Sequence, residues 1–142
     1  MFHEMSDEER RAFLMDGTRT AKVATTMNDG TPHVMPVWFV LDGDDILFNT
    51  GADTVKGQAL RRDPRVSIAV DDQAPPYAFV HVRGTAEISE EPDELRRVAT
   101  LVGGRYMGAD RAEEFGARNS VPGELAVRVR PQRTIAQADL TA

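Results

Sequence analysis

The stretch NTGADTVKGQALRRDPRVSIAV, Asn49 to Val70, decides the fold. It reads as the end of a strand, a turn of small residues, a short helix carrying Lys56, and a new strand. So tight a unit brings Lys56, Arg61 and Arg62 to a junction between strands, in a chain whose net charge is −6. Two readings of that junction stand. A helix N-terminus has unpaired N–H groups and a positive dipole end, which suit a phosphate. Thr50 would add a hydroxyl, Gly51 a close backbone approach, and Lys56 a point charge. In the other reading the three basic residues are the solvated face of a surface helix, where most lysines lie.

Outward from this unit the pattern is mostly of strands. Ser6 and Glu9 have the spacing of a capping box, and the helix they open is expected to stop near Gly17. TAKVATTM alternates, with Ala21, Val23, Thr25 and Met27 on one face. NDG, Asn28 to Gly30, tolerates positive φ and predicts a hairpin. The return strand HVMPVWFVL is apolar on both faces and is expected to be buried on both. DGDD, Asp42 to Asp45, turns the chain into ILFN. RVSIAV and YAFVHVRGTAEI follow the junction, and Gly84 marks a bulge or bend. Ser89 is positioned to cap a helix through PDELRRVATLV, with Leu95, Val98, Ala99 and Val102 on one stripe. GGRYMG is expected to break that helix, and ADRAEEFGARN to form a second. GELAVRVRPQRTIAQADL reads as a strand to Arg130, a proline kink and another strand.

About six strands with turns at short intervals and peripheral helices predict an α+β domain on a closed antiparallel barrel. Strand and helix do not alternate strictly, which argues against a doubly wound parallel sheet.

Composition narrows the function classes. The chain has 142 residues, 41% hydrophobic and 28% charged, which suits one globular domain spanning 1–142. Its acidity argues against nucleic acid or an anionic membrane as partner. The absence of cysteine removes disulfides, zinc ribbons and thiol nucleophiles together. The acidic N-terminus lacks a long apolar run, so neither a signal peptide nor a membrane span is expected, and the expected location is the cytoplasm. GADTVKG is no P-loop, because its lysine precedes the second glycine. GGRYMG follows a helix and so is no dinucleotide fingerprint. His3, His33 and His81 are the only histidines, without HExxH or paired carboxylates, and no metal site is expected.

The ordered set KVATTMNDGTPHVMPVWF, ILFNTGADTVKGQALRRDPRVSIAV and VHVRGTAEI resembles the flavin and deazaflavin split-barrel superfamily, which contains the pyridoxamine 5′-phosphate oxidases. The match runs from about Thr20 to Ser89, with a weaker echo in AVRVRPQRTIAQADL. VMPVWF and NTGADTVKGQALRRDPRV are most similar to the small actinobacterial reductases that use coenzyme F420. The arginine, glutamate and tryptophan of the oxidases' C-terminal substrate motif have no counterpart in RPQRTIAQADL, which argues against vitamin B6 chemistry.

The resemblance implies a split β-barrel homodimer with two cofactor sites at its interface. It implies an F420-dependent oxidoreductase passing a hydride between the reduced deazaflavin and an unidentified small organic acceptor. His33, Val34, Met35, Pro36, Val37 and Trp38 would run along the ring system. Asn49, Thr50, Gly51, Lys56 and Gly57 would hold the phosphate and the ribityl-like chain. Pro76, Tyr77, Ala78 and Phe79 would come from the partner subunit and close over the ring. Arg61 and Arg62 would meet a glutamate tail. No catalytic residue is assigned, since the cofactor carries the chemistry and solvent can supply the proton. FMN in place of F420 is one alternative, and a non-catalytic protein that binds flavin, deazaflavin or haem is another.

Overall fold

The computed structural model describes residues 1–142. In chain order the elements are β1 (His3–Glu4), α1 (Asp7–Met15), β2 (Ala21–Thr26), β3 (Pro32–Val37), β4 (Val40–Asp42), β5 (Asp45–Gly51), α2 (Val55–Arg62), β6 (Arg65–Asp72), β7 (Ala78–Ser89), α3 (Pro92–Met107), α4 (Ala112–Arg118) and β8 (Glu124–Ala138). A single 3-10 turn, Ala109–Arg111, joins α3 to α4. All strand pairs are antiparallel, in the order β3-β2-β6-β7-β8-β5-β4, with β1 paired to the far end of β8.

That order dictates the shape. β3 and β4 lie at opposite ends of the ladder, yet only Trp38 and Phe39 separate them in the chain. Three residue steps span at most about 11 Å, so the sheet must curl until its two ends nearly meet. It does not close by hydrogen bonds, and the result is an α+β split barrel of eight strands and four α-helices. The strand pattern alone predicted closure, whereas the family resemblance implied a split barrel; the split barrel is what forms, and the backbone at the break explains why. Pro32 and Pro36 give β3 no N–H at two positions. The Phe39 N–H donates to the Tyr106 hydroxyl at 3.2 Å, and its carbonyl accepts from Arg105 at 2.7 Å. Side chains of α3 thus take up backbone groups that a continuing ladder would need.

The expectation of one strand over HVMPVWFVL, buried on both faces, also fails. Phe39 and Val40 are buried, but Val34 is 60% and Met35 45% exposed within this chain. β3 is an edge strand, and no helix of the same chain covers it.

The barrel interior holds the larger apolar cluster, including Val23, Phe39, Phe48, Ile68, Val82 and Val127. A second cluster lies outside the wall, where Leu95, Val98 and Val102 of α3 pack on Val40, Leu47 and Ala126. β5 is therefore buried on both sides, with Ile46 and Phe48 facing inward and Leu47 facing α3.

Local signals hold at several places. Ser6 and Glu9 form the capping box of α1, and the helix ends before Gly17, whose φ is +58°. The register between β7 and β8 shifts at Arg83/Gly84, opposite Pro131, where a Cβ on Gly84 would strike the Arg130 carbonyl. β8 itself continues past Pro131 as one strand. At α3 two expectations are corrected. The N-cap is Glu91, and Ser89 only accepts a hydrogen bond from the Glu91 N–H. The helix also runs through Gly103 and Gly104 to Met107. A Cβ on Gly103 would collide with the Cβ of Phe115, so this glycine serves the approach of α4 and breaks nothing.

Candidate functional site

The helix α2 is held at its N-terminus by a residue that sequence reasoning passed over. Thr54 is the N-cap: its hydroxyl accepts from the Gly57 N–H at 3.0 Å and donates to the Gly51 carbonyl at 2.8 Å. Thr50, buried beneath it, lies 3.3 Å away hydroxyl to hydroxyl. Gly57 has a steric task, since a Cβ there would collide with the Gly51 carbonyl. Its N–H is spent on the cap. The Val55 and Lys56 N–H groups have no partner within the chain and lie at the positive end of the helix.

In front of this helix end lies a cleft of about 480 Å³. One wall is Asn49, Thr50, Gly51, Thr54 and Lys56, and another is Pro36, Val37 and Trp38. Thr20, Val102, Asn119 and Glu124 complete it. The Trp38 ring stacks on Tyr106, with centroids 5.1 Å apart and planes within 2°, so α3 sets the orientation of that wall. Tyr106 is fixed in turn, because its hydroxyl donates to the Arg19 carbonyl at 2.7 Å.

The cleft is rich in uncommitted donors. The Nδ2 of Asn49 is buried without a hydrogen-bond partner, a costly state unless something else accepts from it. Lys56 makes no ion pair and no side-chain hydrogen bond within the chain. Burial lowers its pKa from the ordinary lysine value, and the charge of Glu124 opposes that shift. Burial raises the Glu124 pKa, and Lys56 opposes that shift. An unpaired ammonium, an orphan amide and two free backbone N–H groups are together suited to a phosphate.

Seven of the sequence-predicted residues thus meet in one cleft: Pro36, Val37, Trp38, Asn49, Thr50, Gly51 and Lys56. Others lie elsewhere. His33 faces Thr25 across the β2–β3 pair, and the His33 Nδ1 and the Thr25 hydroxyl are both buried without a partner. Val34 and Met35 lie on the open edge. Arg61 pairs with Glu90 at 2.8 Å, and Arg62 donates to the Thr26 carbonyl at 3.1 Å. Pro76, Tyr77 and Ala78 line a second cleft, of about 530 Å³, with α1 residues such as Ala12 and Phe13. Phe79 lies beyond it on β7, opposite Asp71 and Gln137. Within one chain the two clefts share no residue.

Thr54 was legible as a helix cap from its type and place. Thr20, Asn119 and Glu124 carried no local signal, because only the fold brings them to Lys56. No group of three or more histidine and carboxylate residues is placed to hold a metal ion. No helix is long and apolar enough to cross a membrane.

The sequence profile described as pyridoxamine 5′-phosphate oxidase matches residues 6–138. A solved structure of a conserved hypothetical protein from Mycobacterium tuberculosis is 32% identical, with a TM-score of 0.84 over 97% of this chain and 89% of the other. A protein solved as an F420 reductase is 28% identical, with a TM-score of 0.68 over 87% of this chain and 94% of the other. An FAD-binding protein from Mesorhizobium loti shares the fold at 18% identity, with a TM-score of 0.66 over 96% of each chain. No curated protein matches this sequence.

Proposed function

The chain belongs to the pyridoxamine 5′-phosphate oxidase family, and on that premise we propose that it is a cytoplasmic, homodimeric oxidoreductase dependent on coenzyme F420. The observation that carries this reading is the Lys56 cleft. An unpaired lysine, the orphan Asn49 amide and the free N–H groups of α2 stand on one side of it, with Pro36, Val37 and Trp38 on another. The likeness to an F420 reductase favours the deazaflavin among phosphate-bearing ring cofactors.

In this proposal Lys56 and the Val55 and Lys56 N–H groups hold the phosphate. Asn49 donates from Nδ2 to the chain between phosphate and ring. Pro36 to Trp38 flank the ring, with Trp38 braced by Tyr106. Gly51 and Gly57 let β5 and α2 approach closely enough for these donors to converge. Bound there, F420 would supply a hydride to an activated double bond or a similar acceptor. The residues fix the position of the reacting centre and exclude water from it, which is what a protein adds to a cofactor's own chemistry. Pro76 to Phe79 of a second copy would close over the ring, so the site is complete only in the dimer. Arg61 and Arg62 would meet the glutamate tail after giving up the contacts they make in the free chain. FMN is the second reading, favoured by the family match, because its phosphate would use the same donors.

Titration of the purified protein with F420 and with FMN, followed by an anaerobic hydride-transfer assay, tests the proposal. F420 is expected to bind more tightly than FMN and to be turned over with an acceptor. Tighter FMN would establish the second reading, and binding of F420 without turnover against any acceptor would favour a carrier. Lys56→Ala should weaken either cofactor roughly ten- to a hundredfold, since charge-assisted contacts to phosphate contribute about 1.5–3 kcal/mol. Unchanged affinity in that variant at low salt would remove Lys56 from the site.

A further inference from the structure

Lys56 and Glu124 are the only charged residues on the wall of the Lys56 cleft. Glu124 opens β8 and is the direct cross-strand partner of Gly51, so it stands on the same face of the sheet as the turn that leads into α2. Its carboxylate makes no hydrogen bond, and it is not in ion-pair contact with Lys56. Both groups are partly buried; burial shifts each toward its neutral form, and the charge of the other opposes that shift across the intervening space. A carboxylate beside an anion site is costly unless it does something there.

We propose that Glu124 makes the Lys56 cleft selective for a singly charged phosphodiester over a doubly charged phosphomonoester. The inference rests on the cofactor reading above. The cost of taking an anion out of water grows with the square of its charge, while the attraction that offsets it grows only linearly. One lysine and one glutamate give the cleft no net formal charge. The lysine, the Asn49 amide and two backbone N–H groups can compensate one negative charge. Within one chain the cleft wall holds no second cation to compensate a dianion, and Glu124 repels the dianion twice as strongly as the monoanion. The phosphate of F420 is a diester within the chain that leads to the tail, and it carries one charge. The phosphate of FMN is a terminal monoester, with a charge of about −1.5 to −2 at neutral pH. Cofactor choice would thus be written in the first residue of β8, far in sequence from the Lys56 unit.

The test is equilibrium binding by fluorescence, with wild type and Glu124→Gln, at fixed low ionic strength. The probes are F420 and three ligands with one ring: riboflavin, the methyl phosphodiester of FMN, and FMN itself. Removing one partly exposed like charge should tighten a monoanion about threefold. FMN should then tighten by up to about ninefold, because the Coulomb energy scales with the product of the charges. F420 should tighten about as the methyl diester does, and riboflavin should not change. Equal gains for the diester and for FMN, or no gain for any charged probe while F420 binds, would overturn the inference and leave the cofactor reading standing. Failure of wild type to bind F420 or any of the flavins would overturn the cofactor reading and the inference with it. Glu124→Ala, run in parallel with thermal melting, separates a charge effect from a folding defect. It should reproduce the ordering of the probes.

Discussion

β3 and β4 come from one apolar run, and they differ in what covers their side chains and what satisfies their backbone. The β4 side is held by α3. Arg105 donates to the carbonyls of Phe39 and Leu14, both at 2.7 Å, and of Gly17 at 3.2 Å, while its guanidinium lies 4.6 Å from the Phe39 ring centre. Burial lowers the Arg105 pKa, yet an arginine keeps its charge there. The β3 side has β2 on one edge and nothing of this chain on the other. The difference teaches that an apolar run does not determine its own burial. Elements far along the chain decide which half is core and which half is left exposed.

Four measurements break or sharpen that comparison. The largest effect is expected from Phe39→Ala, which empties a fully buried site at the break and should cost about 3–5 kcal/mol in chemical denaturation. Val34→Ala, five residues earlier, should cost less than about 0.5 kcal/mol where the chain is monomeric. Comparable losses would show that β3 is as much a part of the core as β4.

Arg105→Ala comes next. It strands carbonyls at the break and should cost about 2–3 kcal/mol, given that each buried group left unpaired costs about 1–3 kcal/mol. Arg105→Lys should recover only part of this, because an ammonium cannot span three carbonyls as a planar guanidinium does.

The exposed half makes the third prediction. If a second copy covers β3, the wild type should sediment at about twice the 15.7 kDa of one chain. Val34→Asp should then shift the mass toward one chain, since an unpaired charge is costly in an interface. A wild-type mass near one chain at micromolar concentration would leave β3 a bare edge and defeat the proposed dimer.

The smallest effect concerns β1, an edge held by charge. His3 lies 2.8 Å from Glu9 and 2.9 Å from Asp139, and its pKa is raised, first by the hydrogen bond to Glu9. A raised folded pKa means that the stabilisation is complete below the ordinary value of about 6.5 and fades as pH rises through the folded value. The thermal midpoint of wild type relative to His3→Gln should therefore fall over that interval. A constant difference would mean that the imidazole contributes no charge.

The local signals explain what was legible. The capping box at Ser6, the turns at Gly30 and Gly43, the bulge at Gly84 and the Lys56 unit all depend on residues within a few positions of one another. Pro36 to Trp38 and Asn49 to Gly51 were placed beside Lys56 by the family resemblance and not by any local signal, and the cleft brings them together. What the local pattern did not show is of another kind. GGRYMG has the composition of a helix breaker, but Gly103 is small because Phe115 packs against it. Gly57 was assigned to the phosphate, and the structure gives it the close approach of α2 to β5. Arg61 and Arg62 were left for a ligand, and Glu90 and the Thr26 carbonyl already engage them.

By itself the sequence determined the type of most elements, the antiparallel class and the neighbourhood of Lys56, because periodicity, caps and turns are short-range. Only the tertiary structure decided where the barrel splits and what holds it open, that β3 is open while Phe39 is buried, and that Glu124 faces Lys56. The physical reason lies in chain separation. The groups that satisfy the Phe39 backbone, Arg105 and Tyr106, stand 66 and 67 residues away, and no pattern within the run itself encodes them.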